Sequence, residues 1–137
     1  MPVLGVFVTD VKRELMISYI TIGSNDLTAS AAFFDVLFGA LKGTRAYSLD
    51  TMIGYSFGPD APMIIVTRPF DGSEASHGNG TMIALAAKDR AQVDAVHALA
   101  LAHGATDCGP PGERGARFYG GYFRDPTGNK FNISLSA

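Results

Sequence analysis

A single cysteine, Cys108, in 137 residues excludes an intrachain disulfide, a cysteine-based zinc cluster and a CxxC redox pair. It stands beside Gly109, Pro110 and Pro111 in what reads as a loop, an ordinary thiol to which no role is assigned, and a reducing, cytoplasmic setting is expected. Charge of one sign is equally scarce. Eleven Lys and Arg oppose thirteen Asp and Glu for a net charge of −2, with no run of five or more like charges. Nucleic acid and acidic membranes are therefore excluded as expected partners. Long apolar runs are missing too. The segment 1–15 holds only the short stretch Val3 to Val8, followed by Asp10, Lys12, Arg13 and Glu14, which is neither a signal peptide nor a membrane span. It reads as an N-terminal extension outside the fold. What remains, with 47% hydrophobic residues, is enough for one sizeable core in a single domain over 16–137.

The pattern begins at Met16. In MISYITIG, Ile17, Tyr19 and Thr21 share one face and Ser18, Ile20 and Ile22 the other, which predicts a strand buried on at least one side. Asn25 and Asp26 offer helix N-caps, and Leu27, Ala31, Phe34, Leu37 and Phe38 follow at helical spacing until Gly39 or Gly43. Three short strands are expected near 44–49, 51–57 and 62–68, then a polar, glycine-rich stretch from Asp71 to Gly80 that reads as a linker or mobile loop. The pattern restarts with a strand over 81–87, Asp89 as N-cap and RAQVDAVHALALAHG as an amphipathic helix closed by Gly104. Aligning Asp26 with Asp89 superposes the halves at an offset of 63 residues, so a repeated βαβββ unit is implied, with modules at about 16–70 and 80–137. The second unit is expected to end with a loop from Gly109 to Gly115, a strand over 118–124, a turn at Asp125 to Asn129 and a strand over 130–135.

The closing hairpin RFYGGYFRDPTGNKFNIS resembles the YxxFxDPDGNxxE signature of the vicinal oxygen chelate superfamily, the glyoxalase, bleomycin-resistance and extradiol-dioxygenase group. ISYITIGSNDLTASAAFF is similar to that group's first strand and helix, and the resemblance runs from Met16 to Ser136. It implies an α+β fold in which two βαβββ modules form an open, mixed-sheet half-barrel with the helices outside. It also implies where a divalent ion would be held. The family's first histidine falls on Tyr19, its second on Met82 and its last carboxylate on Asn132, while Met63 to Thr67 on the fourth strand contains no His, Asp or Glu. A phenol, a thioether and a carboxamide are poor substitutes for imidazoles and carboxylates around such an ion. No metal and no cofactor are expected, and metal-dependent dioxygenase chemistry does not fit. A displaced site would have to draw on Asp71, Glu74 or His77.

The resemblance points Tyr19, Met82 and Asn132 toward a cavity, with Arg68 and His77 at its mouth and Tyr119 or Tyr122 beside it. The two tyrosines lie on opposite faces of a regular strand, so at most one reaches it. Tyr19, Met82, Asn132, Arg68 and Tyr119 are the ligand-binding candidates, and Tyr122 and His77 the candidates for acid–base work. His97 and His103, six residues apart on the second helix, read as surface or capping residues. Three functions stay open: a metal-free protein that binds an unidentified small molecule, a lyase or isomerase using metal-independent proton transfer, and a structural or interaction domain. A homodimer is expected from the family resemblance.

Overall fold

The first helix forms where an extended Asp26 caps it, its carboxylate accepting the Ala29 N–H at 3.1 Å. A computed structural model of the protein describes residues 15–136, so the extension expected over 1–15 lies, Leu15 apart, outside the described residues. Helix α1, Leu27–Gly39, buries Leu27, Phe33, Phe34, Leu37 and Phe38. It ends at Gly39, one of the two expected positions, although neither Gly39 nor Gly43 takes the left-handed conformation. Lys42 does, at φ 65°, and the Gly43 N–H then reaches back to the Phe38 carbonyl at 2.7 Å.

Around α1 run β1 (Tyr19–Gly23), β2 (Thr44–Ser48), β3 (Met52–Ser56) and β4 (Met63–Thr67), in the order β1-β4-β3-β2 with only β1 and β4 parallel. The second module repeats this with β5 (Ile83–Ala86), α2 (Arg90–Ala102), β6 (Thr106–Glu113), β7 (Phe118–Arg124) and β8 (Lys130–Ser136), ordered β5-β8-β7-β6. Asp89 caps α2 through the Gln92 N–H at 2.8 Å, and the Gln92 side chain accepts from the Lys88 N–H at 2.8 Å. Gly104, at φ +108°, turns the chain out of the helix as expected. The two four-stranded mixed sheets, unclosed, carry the helices on one face, the predicted α+β architecture.

Three local expectations are corrected. The loop expected from Gly109 is largely strand β6, which carries Pro110 and Pro111 at the sheet edge and pairs with β7 through two register shifts. An edge strand tolerates proline because its outward N–H groups have no partner to lose. The stretch 71–80 is not a free linker: Ala75 is buried, its N–H donates to the Asn25 side chain at 2.6 Å, and its carbonyl accepts the Asn25 amide at 3.1 Å. His97 is neither surface nor cap. It is 4% exposed, and its Nε2 lies 3.1 Å from the Tyr122 carbonyl and 3.2 Å from the Asp107 carboxylate. Both partners accept, so Nε2 carries the hydrogen. His103 does serve the helix end, with Nδ1 2.9 Å from the Leu99 carbonyl.

One core joins the modules. Phe34 stacks on Phe38 at 4.7 Å and meets Phe131 of β8 at 5.7 Å, while Phe131 stacks on Phe123 at 5.6 Å. At its margin the buried Tyr55 hydroxyl donates to Asp35 at 2.8 Å, and the Arg45 guanidinium grips the same carboxylate at 2.8 and 2.7 Å. The hydrogen bond from Arg45 outweighs desolvation and holds the Asp35 carboxyl below its ordinary pKa. A folded pKa below the unfolded one means that this stabilisation is present above the ordinary Asp range and is lost as pH falls through it. Both side chains are about 40% exposed, so the pair is worth only about 0.5 kcal/mol. Urea midpoints should therefore place Arg45→Gln below the parent by that amount at pH about 6, with the gap closing below pH about 4.

Candidate functional site

Alternation along the strands decides which side chains can meet a ligand. Ile64 and Val66 on β4, Ile53 and Tyr55 on β3, and Phe131 and Ile133 on β8 all enter the core beneath the helices. Their neighbours point to the opposite, open face: Tyr19 and Thr21, Met52, Met63 and Thr67 in the first module, and Met82, Tyr122 and Asn132 in the second.

On the first module this face floors a cleft of about 880 Å³ lined by Thr21, Met52, Thr67, Arg68, Phe70 and Glu74, among others. The chain turns over it immediately after β4. The Arg68 N–H donates to the Thr51 carbonyl at 2.9 Å, and the Thr67 hydroxyl donates to the Arg68 carbonyl at 2.9 Å, so the base of the arginine is fixed while its guanidinium projects freely. Beyond it Phe70 is fully exposed at the rim, and the Asn25 clasp on Ala75 holds the far side of the loop in place. Arg68 also lines the two adjoining clefts, of about 530 and 630 Å³.

The predicted residues divide among several places. Arg68 stands in the large cleft. His77 and Met82 come together at the seam between β1 and β5, in a pocket of about 80 Å³ shared with Ile20, Asn129 and Lys130. There the imidazole rests on Gly128, where any Cβ would approach His77 Cδ2 to 2.5 Å and where φ is +108°. Tyr19, 56% exposed, lies on the open face in register with Met63. Tyr122 and Asn132 are paired across β7 and β8 on one face, with Arg114 5.0 Å and Lys130 5.4 Å from the Tyr122 ring centre. Asn132 is 1% exposed. Its amide N–H donates to the Gly121 carbonyl at 3.3 Å, while its Oδ1 is buried without a hydrogen-bond partner among the described residues. Tyr119 faces the helices instead, donating to Asp94 at 2.6 Å beneath the Arg90 guanidinium, and does not share a pocket with the others. That hydrogen bond raises the Tyr119 phenol above its ordinary pKa.

The cleft lining also includes Met52 and Phe70, which the sequence did not single out, and Glu74, which it offered only as a donor for a displaced metal site. An aromatic directly after Pro69 in an otherwise polar stretch was the available signal for Phe70, whereas Met52 carried none. Among the described residues no three His, Cys, Asp or Glu side chains gather as a metal-binding group, and no helix is long and apolar enough to cross a membrane.

The glyoxalase-like domain family matches residues 19–134, from the first residue of β1 into β8. No curated protein matches the chain. Among solved structures, it is similar to a glyoxalase/bleomycin resistance protein from Albidiferax ferrireducens, at 37% identity and a TM-score of 0.82, covering 90% of this chain and 100% of that one. A glyoxalase-related enzyme from Fulvimarina pelagi shares 20% identity at a TM-score of 0.74, with 89% of each chain covered. A fosfomycin resistance protein from Mesorhizobium loti shares 18% at 0.67, with 91% and 95% covered. The last two likenesses speak to the fold alone. Two βαβββ modules, the DPTGN hairpin and a family match over nearly all the described residues lead to one assignment: the chain belongs to the glyoxalase-like domain family of the vicinal oxygen chelate superfamily.

Proposed function

We propose that this protein binds a small organic molecule in the cleft above Met52 and Thr67, and that it does so without a divalent ion at the superfamily's usual ligand positions. The observation that carries the reading is the cleft itself: about 880 Å³, within the range of small-molecule sites, with a thioether and an aromatic ring beside hydroxyls and a guanidinium that has no ion-pair partner among the described residues. The metal half of the reading is supported by the chemistry of the donor set. Tyr19 and Met82 are exposed groups with little affinity for a hard or borderline ion, and Asn132 offers a neutral oxygen where a carboxylate would stand. These residues do not fit the ion.

The test combines metal analysis with ligand screening. Purified protein is expected to carry no stoichiometric zinc, nickel, manganese or iron, and hits from a thermal-shift screen are expected to survive EDTA and to be lost in Thr51→Trp, which fills the cleft. One tightly held metal per chain, required for binding, would overturn the proposal. A cytoplasmic homodimer belongs to the same reading, since Tyr19, Phe70 and Met82 leave apolar surface exposed in the single chain. Light scattering should give twice the chain mass.

A further inference from the structure

Arg68 and Glu74 line the same cleft, and again the smaller one beside it, yet form no ion pair. Two opposite charges in one cavity normally find each other unless their backbones are held apart. Here both are held. Arg68 is fixed by its own N–H on the Thr51 carbonyl and by the Thr67 hydroxyl on its carbonyl. Glu74 directly precedes Ala75, which is buried and bonded in both directions to Asn25. Asp71, the other carboxylate in the lining, is engaged by the Ser73 N–H at 2.9 Å. The same lining holds Met52, Pro69 and Phe70, apolar groups that include a fully exposed ring.

We infer that the ligand of this cleft is amphoteric: a small molecule bearing one carboxylate or similar anion for Arg68 and one ammonium for Glu74, with an apolar body between them. The inference rests on the cleft being the ligand site, as proposed above. A plain anion meeting Arg68 would share the cleft with the Glu74 carboxylate, which has no ion-pair partner among the described residues, and with Asp71. A plain cation would face the guanidinium. Only a ligand carrying both signs places each charge opposite its complement, and the fixed backbone means that little ordering is left to do on binding. Arg68 supplies a planar fork for the anion, and the Thr21 and Thr51 hydroxyls in the lining offer neutral hydrogen bonds around it.

The probes are matched sets. Free L-phenylalanine carries its two charges side by side, and 4-(aminomethyl)benzoate carries them across a ring; 4-methylbenzoate, 4-methylbenzylamine and 4-methylbenzyl alcohol supply the anion, the cation and the neutral body alone. Calorimetric titration at low salt is expected to show at least one zwitterion binding about tenfold more tightly than either singly charged analogue. Arg68→Gln should reduce that zwitterion to the affinity of the amine for the parent, and Glu74→Gln to that of the acid. Both residues are exposed, so both variants should fold, as circular dichroism will show. Binding with no preference for the zwitterion, or a preference untouched by both substitutions, overturns the inference and leaves the cleft a ligand site. Failure of every probe, the neutral one included, to bind at millimolar concentration overturns both.

Discussion

Phe34→Ala is expected to cost about 3–5 kcal/mol of folding stability, enough to unfold a large fraction of a domain of this size at 37 °C. Phe34 is fully buried, and its ring contacts Phe33, Phe38, Tyr55 and Phe131, so truncation opens a cavity whose walls belong to both modules. Neither module can close the void alone, because the helix that would have to move is held by its cap at Asp26 and by Phe33 against Phe123. Urea denaturation followed by circular dichroism measures the loss. Phe70→Ala, which removes an equally large ring from full exposure, should change stability by less than about 0.5 kcal/mol. Equal losses in the two variants would contradict the placement of the core.

Asp125→Ala should cost about 2–4 kcal/mol by a different mechanism. The Asp125 Oδ1 accepts the backbone N–H groups of Thr127, Gly128 and Asn129 at 2.8 to 3.0 Å, and Oδ2 accepts the Asn129 amide at 2.8 Å. Burial pushes this carboxyl above its ordinary pKa, and the same hydrogen bonds pull it down. Alanine would leave the Thr127 and Asn129 N–H groups in a partly buried turn without the carboxylate, while the Gly128 N–H keeps the Asp125 carbonyl at 2.9 Å. The damage should reach the first module as well, since the Asn129 amide also donates to the Gly23 carbonyl at 2.9 Å and the Asn25 N–H donates to the Thr127 hydroxyl at 3.3 Å. Hydrogen exchange is expected to accelerate at Thr127 and Asn129 in this variant. Asp125→Asn should lose less, because one carbonyl oxygen remains for the backbone amides. Unchanged protection at Asn129 would refute the assigned role.

The parts of this molecule that could be read from residue order are those fixed by local chemistry. Asp26 and Asp89, one repeat apart, cap helices whose limits correspond residue for residue, and the DPTGN turn adopts the hairpin its proline and glycine demand. Strand β6 was hidden because the Gly-Pro-Pro run reads as a loop, although the repeat that superposes the helices also carries Thr44–Ser48 onto that segment. The burial of His97 was legible too, for Val93, Val96, His97 and Ala100 form one helical stripe. Its partners were not, since Asp107 and the Tyr122 carbonyl arrive from two other strands.

At the site, alternation separated Tyr119 from Tyr122, but only the position of Asp94 on α2 shows which of them the helix covers. Arg68 could be suspected as a cation at a strand end. Met52 could not, and Glu74 stood out only as a donor for a displaced metal site, because their place in the cleft depends on the course of the loop after Pro69, and that course is set by Asn25 meeting Ala75 across fifty residues of chain. A contact of that range leaves no periodicity behind.

The prolines of β6 bear on how this molecule meets other chains. β2 and β6 end their sheets opposite β1 and β5, but Pro110 and Pro111 have no amide hydrogen to offer, and the ladder around them is already out of step. A strand arriving from solution finds no continuous row of donors on β6. Of these two flanks only β2 can take up an added strand, so on that side the second module is blunt and the first receptive.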